Sequence, residues 1–251
     1  MVLLRRFACG VLLTGSALAQ DIVQVSPATA KVEYEDANIR VIRSHFEPGA
    51  SAPMHSHPPR IVIALRTGTL RLSKPDGGSI VPPADPQQRP LAFGPQTHAV
   101  ANIGNTPVEN VEIELKRHAQ LGELRKAPRE SSADPGSLLH EPHHRWVMEA
   151  PGFRVVDARI PPGTSTEWHR HRYAHVSVRV QGSRISSQKQ GEEWTAPEEL
   201  PTGAVAFTRV AAPFVHRVKN SGNVEYRVVL VELLDADDAE PPATGTDSKP
   251  N

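Results

Sequence analysis

The 251-residue chain balances 28 basic against 28 acidic side chains, so no net field argues for nucleic acid or an anionic membrane surface. Aromatic residues make up only 5%, while 24 prolines and 17 glycines interrupt the chain often. Such punctuation excludes long continuous helices and predicts an all-β molecule of short strands and turns.

The first element is an export leader over residues 1–19. Arg5 and Arg6 supply a positive start, Phe7 to Leu18 an apolar stretch, and Ala17-Leu18-Ala19 a small-x-small cleavage site. The apolar run falls far short of the ~20 residues that cross a bilayer, so no membrane span is predicted. Cleavage after Ala19 removes Cys9, the one cysteine, together with two arginines, and leaves two more acids than bases. A thiol-free chain suits a periplasmic or secreted location, and any metal site in it must be built from histidine and carboxylate.

The rest of the chain reads as one unit written twice: an N-terminal domain over 20–117, a polar linker over 118–145, a C-terminal domain over 146–234 and a disordered tail over 235–251. The stretch from Phe46 to His57, with Gly49, His55 and His57, recurs 114 positions later from Ile160 to His171, with Gly163, His169 and His171. The stretch from His98 to Asn105 recurs 118 positions later from His216 to Asn223. Within each unit, Arg40–Arg43 and Phe153–Val156 predict opening strands, Arg60–Leu72 and Ala174–Ile185 central ones, and Val108–Leu115 and Val224–Leu233 closing ones. Residues 75–90 and 188–201 predict loops, and Leu121–Lys126 a short helix.

Side chains alternate faces along a strand, so His55 and His57 point the same way, as do His169, His171 and His175. His98 and His216 sit at matching places ahead of the closing strands. Two imidazoles from one strand and a third from a neighbour can meet on a single ion at ~2.0–2.1 Å. A lone histidine more often serves a surface or hydrogen-bonding role, but a three-histidine pattern that repeats points to metal.

These residues resemble the cupin family. Its first motif is Gly, five residues, His-x-His, three or four residues, Glu, six residues, Gly; its second contains Pro-x-Gly-x-x-His-x-x-x-Asn. Gly49, His55, His57, Gly68, His98 and Asn102 match in the first copy, and Gly163, His169, His171, Gly182, His216 and Asn220 in the second. The resemblance implies two tandem jelly-roll β-barrels whose ligands line the inside, around a divalent transition metal: iron, manganese, nickel, copper or zinc. Two departures stand out: the family's Glu falls on Ile61 and on His175, and the Pro-x-Gly turn is degraded to Phe93-Gly94-Pro95 and Ala211-Ala212-Pro213. The first copy is then a neutral three-histidine site over His55, His57 and His98, similar to that of cysteine- and diketone-type dioxygenases. The second becomes a four-histidine set over His169, His171, His175 and His216, with a closed structural zinc as its alternative.

Tyr173 is the candidate proton-transfer group, and it and Trp168 either line the second site or pack in the core. Arg60, one residue off the ligand parity, is expected to face outward, and His140, His143 and His144 to form a solvated linker cluster. The functional expectation is a metal-dependent oxidoreductase of the dioxygenase type with a small oxygen-bearing substrate. The alternative is a non-catalytic periplasmic cupin that binds a metal or a small molecule. Cupins often pair, so the resemblance also allows a homodimer.

Overall fold

The computed structural model describes residues 20–129 and 133–235; the predicted leader and residues 236–251 of the predicted tail lie outside the described residues. The first half comprises α1 (Ile22–Val25), β1 (Ala30–Glu35), β2 (Ile39–Phe46), β3 (Ser51–His57), β4 (Arg60–Arg66), β5 (Leu70–Ser73), β6 (Ser79–Ile80), β7 (Leu91–Phe93), β8 (Gln96–Asn102) and β9 (Val108–Leu115). The second half runs through β10 (His144–Ala150), β11 (Phe153–Ile160), β12 (His169–His171), β13 (His175–Gln181) and β14 (Ser183–Lys189). It closes with β15 (Glu198–Leu200), β16 (Val205–Thr208), β17 (Phe214–Asn220) and β18 (Tyr226–Leu233). The strand β10 begins inside the segment read from sequence as linker. Residues 121–126 form no helix. Gly122, in the left-handed region at φ +78°, breaks the turn that a helix would need there.

Each half folds into two facing antiparallel sheets. Strand order is β1-β2-β9-β4-β7 against β3-β8-β5-β6 in the first, and β10-β11-β18-β13-β16 against β12-β17-β14-β15 in the second. The two halves obey one plan, a pair of jelly-roll barrels.

Matching turns hold both barrels in register. Gly49 at φ +82° and Gly163 at φ +74° bend the chain into β3 and β12, a conformation a side chain would strain. Asn102 Nδ2 donates to the carbonyls of Phe46 and Thr106, both at 2.8 Å, and its Oδ1 accepts from Gly104 N at 3.0 Å. Asn220 repeats the set with Ile160 at 2.9 Å, Val224 at 2.8 Å and Gly222 N at 3.0 Å. One buried amide thus ties the strand before the turn, its own strand and the following loop in each barrel.

The barrels join through a common core. Ile61, Ile63 and Leu65 of β4 and Val111, Ile113 and Leu115 of β9 face outward from the first barrel. They meet Val155 of β11, Val176, Val178 and Val180 of β13, and Val229 and Val231 of β18. Tyr34 stacks on Phe207 across the join with ring centroids 4.5 Å apart, and Arg227 donates to the carbonyls of Gln87 and Gln88 at 2.9 and 3.1 Å. Burying each Ile or Val there stabilises the pair by about 1.5–3 kcal/mol. The alternate residues of the same strands point into the barrels.

Truncation in this shared layer tests whether the barrels unfold together. Ile63 is fully buried, so Ile63→Ala is expected to cost about 2–5 kcal/mol. Urea unfolding followed by circular dichroism should show one transition shifted to lower midpoint; two separate transitions would show that the barrels stand alone.

Candidate metal centres

In the first barrel, β3 and β8 pair so that His55 lies directly opposite His98, and His57 follows on the same face of β3. The three rings surround one point, with centroids 4.8 Å (His55–His57), 4.8 Å (His55–His98) and 5.4 Å (His57–His98) apart. One nitrogen from each lies within 4.8 Å of the others, and all three residues are buried. His55 Nδ1 donates to Pro53 O at 2.7 Å, which leaves Nε2 an unprotonated lone pair, buried and without a partner. His57 Nδ1 donates to Glu114 at 2.8 Å, and Glu114 is itself held by Arg40 at 2.7 Å. Such an outer carboxylate fixes the tautomer and raises the basicity of the inward nitrogen.

The second barrel repeats the arrangement. His169 on β12 lies opposite His216 on β17, with His171 next on the same face. His169, His171 and His216 again bring their nitrogens within 4.8 Å of one another. His171 Nε2 and His216 Nε2 stand 2.9 Å apart; two ligands at right angles on an ion at ~2.1 Å are separated by about 3.0 Å. His169 Nδ1 pairs with the Glu167 carbonyl at 3.0 Å, and its buried Nε2 has no partner. Both donor sets therefore fit a transition metal. His175 lines the same cavity with its ring 4.9 Å from that of His171, and its Nδ1 pairs with the Tyr173 carbonyl at 3.0 Å. It stands outside the close group of three.

Two residues that the sequence reading set aside belong to these centres. Arg60 does not face outward: it is 4% exposed, donates from Nε to Glu112 at 2.9 Å and leaves Nη1 buried without a partner. Register explains the error. Arg60 opposes Glu114 on β9, as His175 opposes Glu232 on β18. The loop after His57 is one residue shorter than that after His171, so Arg60 takes the inward place and Ile61 turns into the core between barrels. The second residue is His144. Instead of a solvated linker side chain it is a buried part of β10, its ring 4.5 Å from that of His169 and its Nδ1 bonded to Glu141. Its place opposite Ala158 corresponds to that of Ala30 opposite Ser44 in the first barrel, so only the second carries a histidine there. The signal was a half-apolar run, His144 to Ala150, ahead of the opening strand.

Tyr173 gives the second centre its carbonyl, while its ring lies 5.6 Å from the Arg154 guanidinium and does not line the cavity. Trp168 sits outside the barrel, where it and Trp194 sandwich Arg217 at 4.6 and 4.8 Å. His140 stays in the loop before β10, and His143 pairs with Glu141 at 2.7 Å.

A cavity of about 270 Å³ opens beside the second cluster. His144, His169, His171, His175 and His216 line one end, and Ile160, Ile185, Leu200, Val218 and Leu230 give it an apolar wall. Burial pushes His169 down to about 2, helped by His144 and His216, and His216 down to about 4. In the first barrel burial, with the positive charge of Arg60, pushes His98 down to about 3. Neutral imidazoles are the form that binds metal. Although burial opposes it, hydrogen bonds from His144 and His143 hold the Glu141 carboxyl at about 2.

No family model matches the sequence, and no curated protein does. Solved structures do. AerE from Microcystis aeruginosa superposes with a TM-score of 0.57 at 16% identity, over 86% of this chain and 98% of that one. A variant of salicylate 1,2-dioxygenase from Pseudoaminobacter salicylatoxidans gives 0.52 at 12% identity, over 83% and 78%. A cupin 2 conserved barrel domain protein from Leptotrichia buccalis gives 0.49 at 9%, over 81% and 88%. The chain has the cupin fold, twice over. At these identities the likeness is one of fold, and any chemistry of this chain must be argued from its own side chains.

Buried neutral histidines make the metal-free protein acid-sensitive. Their folded pKa values lie below the unfolded value of 6.5, so the unfolded chain binds more protons between the two. Stability of chelator-treated protein should therefore fall as pH drops from about 6.5 toward 4, each buried imidazole steepening the slope by up to about 1.4 kcal/mol per pH unit. Denaturant midpoints at pH 7.5, 6 and 5 measure this. Loading with zinc should restore stability at pH 7.5 and lose that effect at pH 5.

Proposed function

We propose that this chain is a metal-binding bicupin whose C-terminal barrel is a metal-dependent oxidoreductase of the dioxygenase type, acting outside the cytoplasm on a small oxygen-bearing molecule. The observation that carries the reading is the convergence of His169, His171 and His216 beside a cavity that can hold a small molecule. His169, His171 and His216 would hold the ion, with His175 at its side, and His55, His57 and His98 would hold a second. Bound there, a divalent transition metal (iron, manganese, nickel, copper or zinc) supplies Lewis acidity and, when redox-active, reaction with O₂.

The chain's own residues account for the rest. Pro53, Glu167 and Tyr173 carbonyls fix the tautomers of His55, His169 and His175 so that each presents Nε2 inward. The apolar wall excludes water from the bound molecule and strengthens every polar contact made inside. Glu141 holds His144 against His169, which places a further imidazole beside the cluster. A specific observation favours a binding role without turnover for the first barrel: Arg60, Glu112 and Ser44 form a bonded network in its interior, where the second barrel has its cavity.

Elemental analysis of purified protein is expected to find two metal ions per chain, and one after the double change His169→Ala with His216→Ala. Oxygen uptake would then be screened with small hydroxylated acids, salicylate and gentisate included. Uptake should fall at least 100-fold in His216→Ala and survive in His98→Ala. Bound metal without uptake under any substrate leaves the binding-protein reading; absence of bound metal ends both.

A further inference from the structure

The cavity beside the second cluster has a charged far end. On β13, His175, Ser177 and Arg179 share the inward face, while Val176, Val178 and Val180 face the core between barrels. Two pleats separate His175 from Arg179, about 13 Å between Cα atoms. Tyr226, the first residue of β18, lines the cavity with Arg179, and Ile160, Ile185 and Val228 complete that end.

Arg179 is an unusual interior cation. Arg40, Arg60 and Arg154 each reach a glutamate, Glu114, Glu112 and Glu232, at 2.7, 2.9 and 2.5 Å. Among the described residues no carboxylate pairs with Arg179, and its Nε is buried without a hydrogen-bond partner. A half-buried guanidinium with a buried, unpartnered Nε and no counter-charge is costly and is relieved by an anion that enters with its own acceptor oxygens. The first barrel has nothing equivalent: Ala64 stands at the same bulge of β4 as Arg179 on β13. The carboxylate of that barrel, Glu112, corresponds to Leu230 in the second, so the interior counter-charge is absent where the cation is present. Burial keeps the Tyr226 phenol protonated through the neutral range against the pull of Arg179, so its hydroxyl can donate alongside the guanidinium.

We propose that the C-terminal cavity binds a small amphipathic carboxylate, with the carboxylate on Arg179 and Tyr226 and an apolar, ring-sized body lying between them and the histidine cluster. The volume suits this: a dry cavity of about 150 Å³ holds benzene, so about 270 Å³ admits a ring with a short acidic side chain. The proposal rests on reading this cavity as the substrate site, and it names that substrate's class.

Calorimetric titration with 3-phenylpropionate and its neutral amide tests it, in metal-loaded and chelator-treated full-length protein. The unaltered protein should bind the acid at least tenfold more tightly than the amide. Arg179→Met should reduce that preference to about one while keeping amide binding and metal content, Arg179→Lys should retain part of it, and Tyr226→Phe should weaken it about threefold. Equal binding of acid and amide, binding of neither, or a preference that survives Arg179→Met or is lost instead in His169→Ala would overturn the proposal. A preference that persists in protein showing no oxygen uptake supports the carboxylate site while the dioxygenase reading fails, so the two are judged separately.

Discussion

Strand alternation is the constraint on which this molecule depends. β4, β9, β13 and β18 are buried on both faces, because one face packs the partner barrel and the other lines a barrel interior. Every second residue is therefore free to be Val, Ile or Leu for cohesion. The residues between them carry the chemistry: Glu112 and Glu114, His175, Arg179 and Glu232. Shifting any of these strands by one residue would exchange the two sets and destroy core and site together.

Duplication supplied two copies of that plan, and their interiors have diverged. The first barrel neutralises itself: Arg60 occupies the place held by His175, and its charge is met by Glu112. The second has His144 where the first has Ala30, Leu230 for Glu112 and Arg179 for Ala64. Those exchanges remove a filling ion pair and leave an apolar chamber with histidines at one end and a lone cation at the other. The histidine triads themselves are common to both, as are the asparagine-pinned turns that hold the cluster strands in place. What separates the barrels is the apolar interior chamber beside the second cluster.

The repeated spacing of His55, His57 and His98 and of His169, His171 and His216 was legible because ligands two residues apart on a strand must share a face, whatever surrounds them. The duplicated Gly and Asn positions were legible for a similar reason, since a left-handed turn is local and each Asn bonds the loop just after it. The inward turn of Arg60 was not. It depends on whether two or three residues bridge His57 to the next strand, and on which residue then meets Glu114 across the ladder. His144 was hidden because its role needs β10 to pair with β11 and bring the ring against His169, a contact between segments with no local signature.

By itself the sequence determined two β-rich units in tandem and six histidines placed in matching threes, because turn residues, strand alternation and an internal repeat are local and periodic signals; the barrel form was what the family resemblance implied. Only the tertiary structure decided that the barrels share one apolar layer, that Arg60 faces in, and that Arg179 and Tyr226 close a cavity opposite the histidines. Those outcomes follow from cross-strand register and from which faces remain once the sheets have packed. Register is set by pairings between residues far apart in the chain, which no spacing along it records.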